Sequence, residues 1–173
     1  MLPIPLFSLM VDHEPVGKQR PRVRKGGRGV YTPDKTRKYE QFIQILSRKE
    51  MKHSVPLVGP LIVYAVFTFA LPKSKKRRAE IEKEGFLHQQ KPDIDNLQKS
   101  LLDGLELGGV FQSDKQISMI SCVKMYDNFP SVRVTIYSKA HIPSYGYPLN
   151  KNLYSFFTKE ELPDVCQTCG KKF

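Results

Sequence analysis

The apolar positions of the chain follow two periods, one typical of strands and one typical of amphipathic helices. Residues 5–11 form a short apolar run, and residues 61–70 are rich in Val, Ile, Phe and Tyr, so each run predicts a strand. Residues 117–125 and 132–136 alternate apolar with mostly polar side chains on either side of a turn at 127–130. We therefore predict that these last two strands form a hairpin.

Two further segments have the helical period. One stripe at i, i+3, i+4 and i+7 follows Thr32-Pro33-Asp34 and consists of Tyr39, Phe42, Ile43 and Leu46. Another begins after Asp95, ends at Gly108-Gly109 and consists of Leu97, Leu101, Leu102 and Leu105. The order strand, helix, strand, helix, strand, strand predicts an α/β (α+β) fold, in which helices pack on a small mixed sheet of about four strands.

The length and the loss of periodicity near the end predict the domain organisation. A chain of 173 residues is long enough for one domain with an ordinary core, which we assign to residues 1–139. Residues 140–173 are rich in Pro, Gly, Tyr and Asn, so we interpret them as a C-terminal appendage. Residues 17–29 contain six basic residues, four glycines and a proline, which predicts a mobile basic arm.

The formal net charge of +11 favours a polyanionic partner, because Lys and Arg release counterions from phosphates. A generally solvated basic surface is the alternative. The charge is concentrated in the arm and again at residues 73–78, which favours nucleic acid. The predicted DNA-binding residues are Lys18, Arg20, Arg22, Arg24, Lys25, Arg28, Lys73, Lys75, Lys76, Arg77 and Arg78.

The motif Lys91-Pro92-Asp93-Ile94-Asp95-Asn96 places two carboxylates two positions apart at the start of the second helix. Asp95 has an alternative interpretation as the helix cap, with Gln98 as the third helical residue. Two carboxylates on one side of the chain repel each other unless a cation neutralises them, which favours a metal site. The motif lacks the glycine of an EF-hand and contains no histidine or cysteine, so a hard, oxygen-coordinated ion is favoured over zinc.

Other polar residues accompany this motif. Lys99 lies one turn after Asp95. It has two interpretations: a partner in a surface ion pair, or a cation that binds the scissile phosphate. Asp114 lies 15 residues beyond Lys99 and precedes a strand, so it is also open to interpretation as a turn residue. We interpret Asp103 as structural rather than catalytic. His88 lies close enough in sequence to reach a phosphate or base, but a lone loop histidine is more often uninvolved.

These residues together resemble the RusA family of Holliday-junction resolvases. The resemblance rests on residues 91–97, Lys99, Leu102-Asp103-Gly104-Leu105, Val110-Phe111 and Asp114 with Gln116. The segment at 17–22, followed by Tyr31-Thr32-Pro33, is similar to members from phages and prophages of bacteria. The similarity covers roughly residues 4–138.

The resemblance implies that Asp93, Asp95 and Asp114 bind Mg²⁺, which Mn²⁺ is able to replace, and that these residues and Lys99 are catalytic. Asn96 is expected to orient the loop or a carboxylate. The implied activity is that of a metal-dependent, structure-selective endodeoxyribonuclease, which resolves Holliday junctions by paired symmetric nicks in DNA recombination and repair. The alternatives are a nuclease of the same fold acting on flaps, forks or other branched replication intermediates, and a junction-binding protein that does not cut.

Paired nicks require two sites, and a homodimer supplies them at symmetric positions, as the family resemblance also implies. The expected partners are therefore four-way-junction DNA and a second copy of the chain, without a small-molecule cofactor or a membrane. The longest apolar run, residues 57–71, includes Pro60 and is too short to span a bilayer.

The cysteines give no framework for the fold. Three cysteines cannot all pair, so no disulfide network is expected and the predicted location is the cytoplasm of a bacterial or phage-infected cell. Cys166 and Cys169 form a single CxxC pair, whereas a structural zinc site needs four ligands. We therefore do not expect Zn²⁺; a zinc site shared across a dimer is the alternative to a truncated tail.

Overall fold

The computed structural model describes residues 4–23, 26–27 and 29–138. The strands, in chain order, are β1 (Phe7–Val11), β2 (Arg22–Val23), β3 (Val30–Tyr31), β4 (Leu61–Ala70), β5 (Ile117–Asp127) and β6 (Ser131–Ser138). The helices are α1 (Asp34–Met51), α2 (Lys75–Lys83) and α3 (Ile94–Leu107), and a short 3₁₀ turn covers Asp114–Gln116. The predicted appendage at 140–173 lies outside the described residues. So do five of the predicted site residues: Arg24, Lys25, Arg28, Cys166 and Cys169.

Four strands form one mixed sheet in the order β1-β6-β4-β5, which confirms the predicted fold class. The central strand β4 pairs in parallel with β5 and antiparallel with β6, and β1 pairs antiparallel with β6. A parallel pair needs a long crossover connection, and the segment that contains α2 and α3 supplies it. Among the described helices, none has the length and apolar content needed to cross a bilayer.

The predicted hairpin between the last two strands is wrong, because β4 lies between β5 and β6. The connection through Asn128, Phe129 and Pro130 crosses the end of β4, where the amide of Leu71 donates to the carbonyl of Asp127 over 3.0 Å. Four backbone steps reach roughly 13 Å, which is enough to pass one strand at about 4.8 Å spacing. Alternation along a strand predicts its two faces but not its neighbours in the sheet.

One face of the sheet forms the core with the helices. Fully buried apolar side chains of β4 and β6 alternate along these strands and belong to one cluster with apolar residues of α1 and α3. The members with the least exposure include Leu61, Val63, Phe67, Val132, Ile136, Ile43, Leu97, Leu101 and Leu105. Each such side chain contributes roughly 1.5–3 kcal/mol when it leaves water, so this cluster fixes the position of α3 on the sheet.

One glycine within α3 and one directly after it let this helix approach α1 closely. A Cβ atom on Gly104 would lie 2.7 Å from Cβ of Ile43, and one on Gly108 would lie 2.6 Å from Cβ of Ser47. The first of these contacts lies beside the carbonyl of Glu40, 3.2 Å from the same hypothetical atom. The close packing therefore brings the polar edge of α1 next to the middle of α3.

The predicted helical stripe of α1 is partly correct. Tyr39 and Ile43 are buried, whereas Phe42 is 37% exposed. Leu46 is only half-buried, and Glu40 lies on the buried side of the helix. The residues at 75–83, which the sequence showed only as a charged stretch, form helix α2, with Ser74 as its cap.

The basic arm is not a wholly mobile segment. Val16 and Gly17, at its base, are buried, and a Cβ atom on Gly17 would lie 2.7 Å from Cβ of Pro92. Further along, β2 and β3 form a two-stranded antiparallel ribbon that pairs Arg22 with Tyr31 and Val23 with Val30. The beginning of the arm therefore belongs to the folded body, because it packs against the loop that precedes α3.

Candidate active site

The loop before α3 is held by a lysine on the neighbouring strand. Nζ of Lys124 donates to the carbonyl of Gln90 over 2.8 Å and to the carbonyl of Pro92 over 2.7 Å. The backbone amide of His88 also donates to the carbonyl of Lys124 over 3.0 Å. Lys124 thus fixes the Lys91-Pro92 peptide, which is cis, directly before the first aspartate of the motif.

Asp93 and Asp95 lie at the N-terminus of α3 with exposed side chains. Asp93, and not Asp95, occupies the capping position, and its side chain makes no capping hydrogen bond. The interpretation of Asp95 as the cap is therefore wrong, since the helix begins one residue earlier than Asp95. Nδ2 of Asn96 donates to Oδ1 of Asp95 over 3.3 Å, and a role for this amide in orienting the carboxylate stays a prediction. The positive end of the helix dipole favours negative charge here.

The third aspartate lies on a turn that Gln116 organises. Oε1 of Gln116 accepts from the amides of Gln112 and Ser113 over 2.9 and 3.2 Å. Nε2 of Gln116 donates to the carbonyls of Leu57 and Gly59, which anchors the turn beside β4. Asp114 is the first residue of this 3₁₀ turn, and Glu106 accepts a hydrogen bond from its amide over 3.2 Å.

A row of alternating charges joins the Asp114 turn to α1. Nζ of Lys99 lies 3.1 Å from Oδ2 of Asp114 and 3.0 Å from Oδ1 of Asp103. The other oxygen of Asp103, Oδ2, lies 2.7 Å from Nζ of Lys18. Lys18 completes the row with an ion pair to Oε1 of Glu40 at 2.5 Å. We call Glu40, Lys18, Asp103, Lys99 and Asp114 the charge row.

The charge row shifts the pKa values of its members. Hydrogen bonds to Asp103 and Asp114 raise the pKa of Lys99, against a smaller effect of burial. Burial acts to lower the pKa of Lys18, but its hydrogen bonds to Asp103 and Glu40 outweigh this and the pKa is raised. Burial alone would raise the pKa of Asp103, yet hydrogen bonds from Lys18 and Lys99 together hold it below its ordinary value. Both lysines and Asp103 are therefore ionised at neutral pH.

The structure brings some predicted site residues together and leaves others apart. Lys99 contacts Asp114, and Asn96 contacts Asp95. The described residues include no group of three or more acidic, histidine or cysteine side chains arranged to hold a metal ion. The chemistry of the three aspartates nevertheless fits a hard cation, because all are partly or fully exposed carboxylates and the side chain of Asp93 makes no capping hydrogen bond. Mg²⁺ binding by Asp93, Asp95 and Asp114 stays a prediction.

The basic residues predicted to bind DNA differ in their surroundings. Lys18 is held in the charge row, Arg77 pairs with Glu80 at 3.0 Å, and Nε of Arg78 donates to the carbonyl of Pro72. The remaining described members of that set are exposed and comprise Arg20, Arg22, Lys73, Lys75 and Lys76. The exposed members at 73–76 lie at the start of α2, where they are available for phosphates.

An open groove of about 630 Å³ adjoins Asp93. Its lining includes Lys18, Arg77, Lys91 and His88. The His88 ring is 8% exposed and stacks on Phe69 with 4.0 Å between ring centroids. Burial and the nearby Lys124 lower its pKa, so the ring is neutral at pH 7. The interpretation of His88 as a residue without a direct role stays a prediction.

The sequence did not single out three residues that shape the site. Lys124 fixes the loop before Asp93, Glu40 ends the charge row, and Glu106 accepts from the amide of Asp114. Lys124 stands on the core-facing side of β5, in register with Phe67 of β4. The alternation along residues 117–125 puts Lys124 at a polar position, so the sequence gave no signal for it, nor for Glu40 or Glu106.

The chain matches the family model of the endodeoxyribonuclease RusA over residues 12–137. Because this match covers more than half of the 173 residues, the chain belongs to the RusA endodeoxyribonuclease family. It is also similar to a Bacillus subtilis (strain 168) protein named "Uncharacterized protein YqaN". The two are 28% identical over 136 residues, which cover 75% of this chain and 94% of that protein. The predicted resemblance to Holliday-junction resolvases is thereby confirmed.

Proposed function

We propose that this protein is a Mg²⁺-dependent endodeoxyribonuclease that resolves Holliday junctions by paired symmetric nicks. The observation that carries the proposal is the 3.1 Å contact between Lys99 and Asp114. It joins Lys99 to an aspartate 15 residues further along the chain, on the side of α3 that bears Asp103. A cation and carboxylates side by side are what a phosphodiester hydrolase needs to bind phosphate and an activating metal.

Asp93, Asp95 and Asp114 would hold the metal through carboxylate oxygens. When bound, a divalent ion activates a water molecule and offsets negative charge on the phosphate. Lys99 donates hydrogen bonds to a non-bridging phosphate oxygen, where charge increases as the water oxygen attacks phosphorus and the P–O bond to the leaving ribose oxygen breaks. Asn96 keeps the Asp95 carboxylate oriented through the 3.3 Å hydrogen bond.

Basic residues outside the charge row bring DNA to these acidic groups. Carboxylates repel a phosphate backbone, so the protein needs positive charge elsewhere to bind it. The exposed lysines Lys73, Lys75 and Lys76 and the ribbon residue Arg22 supply such charge. Contacts of this kind position the duplex arms without reading their sequence.

Two symmetric nicks require two copies of the chain, so we propose that the active form is a homodimer. Each copy contributes one acidic site, and an isologous interface places the two sites at positions related by a twofold axis. That symmetry matches the approximate twofold symmetry of a four-way junction. The proposed setting is DNA recombination and repair in the cytoplasm of a bacterial or phage-infected cell.

The test uses the full chain with a labelled synthetic four-way junction, a 5′ flap, a fork and a linear duplex. Each DNA is incubated with Mg²⁺, with Mn²⁺ and with chelator. Paired nicks on the junction that depend on metal and stop in Lys99→Ala support the proposal. Preferential cutting of the flap or fork would identify a different branched substrate. Equal cutting of linear duplex would contradict structure selectivity, and junction binding without cutting would contradict the nuclease activity.

A further inference from the structure

The proposed function gives no role to most of the charge row. Glu40 is 7% exposed, and the side chains of Lys18 and Asp103 are 26% and 19% exposed. Placing charged groups in a largely desolvated position is unfavourable unless they are paired with good geometry. Each carboxylate and each ammonium of the charge row has a partner of opposite charge within 3.1 Å. The pairing is complete, and it includes the predicted catalytic residues Lys99 and Asp114.

We propose that Asp103 and Lys18 are positioning residues that fix the Lys99 ammonium at Asp114. This inference rests on the proposed function, and it assigns to Asp103 and Lys18 roles that act through Lys99. Lys99 is 51% exposed and has four rotatable bonds, so its ammonium needs a fixed acceptor to stay in one place. Asp103 provides that acceptor one helical turn away, at 3.0 Å.

Asp103 performs this task because each of its two oxygens has a separate partner. Oδ1 accepts from Lys99, and Oδ2 accepts from Lys18 over 2.7 Å. The second contact prevents the carboxylate from rotating away from Lys99. Without Lys18, Asp103 would be free to turn toward solvent, and the position of the Lys99 ammonium would be spread over several rotamers.

Hydrogen bonds to α3 hold the backbone at and beside Lys18 in place. Its backbone amide donates to the carbonyl of Asn96 over 2.8 Å, and Ser100 donates from Oγ to the carbonyl of Val16 over 2.5 Å. Gly17 between them packs on Pro92 with no room for a side chain. The base of the arm is therefore part of the site wall, attached to the same turn of α3 that carries Asp95 and Asn96.

A direct DNA contact by Lys18 predicts different behaviour. If a lysine neutralises a phosphate, its removal decreases the magnitude of the slope of log K against log salt by about 0.9. A positioning lysine leaves this slope unchanged and alters the chemical step. The two roles therefore separate in measurements of binding and of kcat.

The experiment compares wild type with Asp103→Asn, Lys18→Met, Lys18→Arg, Lys99→Ala and the double variant Asp103→Asn/Lys99→Ala. Asp34→Asn, which breaks the exposed ion pair of Asp34 with Arg37, serves as the matched control. The measurements are kcat and KM for metal-dependent junction cleavage, the salt slope of junction binding in chelator, and the thermal midpoint of each variant. A crystal structure of Asp103→Asn in chelator gives the distance from Nζ of Lys99 to Oδ2 of Asp114.

We expect Asp103→Asn and Lys18→Met to lower kcat by about 10- to 100-fold with KM nearly unchanged, because the reacting groups are misplaced rather than lost. Lys18→Arg restores most of the loss, since a guanidinium also donates to two carboxylates. In the Lys99→Ala background, Asp103→Asn adds no more than about a twofold effect. In the crystal structure of Asp103→Asn, we expect Nζ of Lys99 to lie beyond hydrogen-bond distance from Oδ2 of Asp114.

Three results would overturn the proposal: effects of Asp103→Asn and Lys99→Ala that multiply, a lower salt slope for Lys18→Met at unchanged kcat, or Lys99 still bonded to Asp114 in Asp103→Asn. If Asp103→Asn does not fold, the comparison of Lys18→Met with Lys18→Arg decides the question. A wild-type chain that cuts no junction contradicts the proposed function instead, and the Asp103→Asn crystal structure still tests the positioning.

Discussion

Nζ of Lys99 lies 3.1 Å from Oδ2 of Asp114, although 15 residues separate them in the chain. Lys99 comes from the second turn of α3, and Asp114 comes from the 3₁₀ turn that leads into β5. Gln116 holds that turn against the carbonyls of Leu57 and Gly59, so the contact depends on three separate parts of the chain. The contact links α3, which begins within the motif at residues 91–96, to the third predicted metal ligand.

Asp95→Asn should abolish cleavage and keep or strengthen binding of the junction. The change removes a negative charge that repels phosphate and a predicted metal ligand, but it keeps the size of the side chain. We expect cleavage to fall by at least about 10³-fold, as measured by single-turnover kinetics with Mg²⁺. Gel-shift titration in chelator measures the binding, and Asp34→Asn is the control. Weaker binding together with lost cleavage would contradict the proposed role of Asp95.

Lys124→Met should lower cleavage with little effect on junction affinity. The variant removes the two hydrogen bonds, to Gln90 and Pro92, that fix the loop before Asp93. Groups that orient metal ligands typically change activity by about 10- to 100-fold when they are lost. Lys49→Met removes one exposed lysine from the last turn of α1 and controls for net charge. The prediction fails if both variants cleave at the same rate while the thermal midpoint shows that Lys124→Met is folded.

Removing Lys73, Lys75 and Lys76 together should weaken junction binding and its dependence on salt. Each phosphate contact contributes about 0.9 to the magnitude of the slope of log K against log salt. The slope of the triple alanine variant should therefore be smaller in magnitude by roughly 2–3. The slope is measured by fluorescence anisotropy between low and moderate salt. A variant with Lys38, Lys49 and Lys52 replaced by alanine removes the same number of exposed charges from α1 and its C-terminal end, and is the matched control. Equal slopes for the two variants would show that the 73–76 cluster does not contact DNA.

Asp103 should stabilise the fold at neutral pH and lose this effect in acid. Its pKa is lowered in the folded state, so it stabilises the protein above the unfolded value of about 3.9, and the stabilisation disappears as the pH falls through the folded pKa. Asp103→Asn is therefore expected to lower the free energy of unfolding by about 1–3 kcal/mol at pH 7 and by less at pH 3. Urea denaturation at both pH values measures the difference. A constant difference between pH 7 and pH 3 would mean that the Asp103 carboxylate is not stabilised by Lys18 and Lys99.

Local patterns in the sequence determined helices α1 and α3 and the motif, but not α2. The four leucines of α3 and the glycines after it predicted a helix that the structure confirms at Ile94–Leu107. The resemblance carried by residues 91–97, Lys99 and the segments up to Gln116 indicated the family, which the match over residues 12–137 shows. These features depend on residues close in sequence, where the backbone period decides which side chains share a face.

Tertiary structure decided which distant segments meet. Alternation in β5 and β6 was compatible with a hairpin, but β4 lies between them. Most residues of β4 are buried, and the free energy gained by burying them outweighs the advantage of pairing two strands joined by a short connection. In the same way, the positive charge of Lys18 suggested a phosphate contact, whereas the packing of Gly17 on Pro92 directs Lys18 to Asp103 and Glu40. The sequence alone determined helices α1 and α3, the strands of the main sheet and the family to which the motif belongs. Long-range packing, which no local period encodes, decided the order of the strands and the partners of each charge.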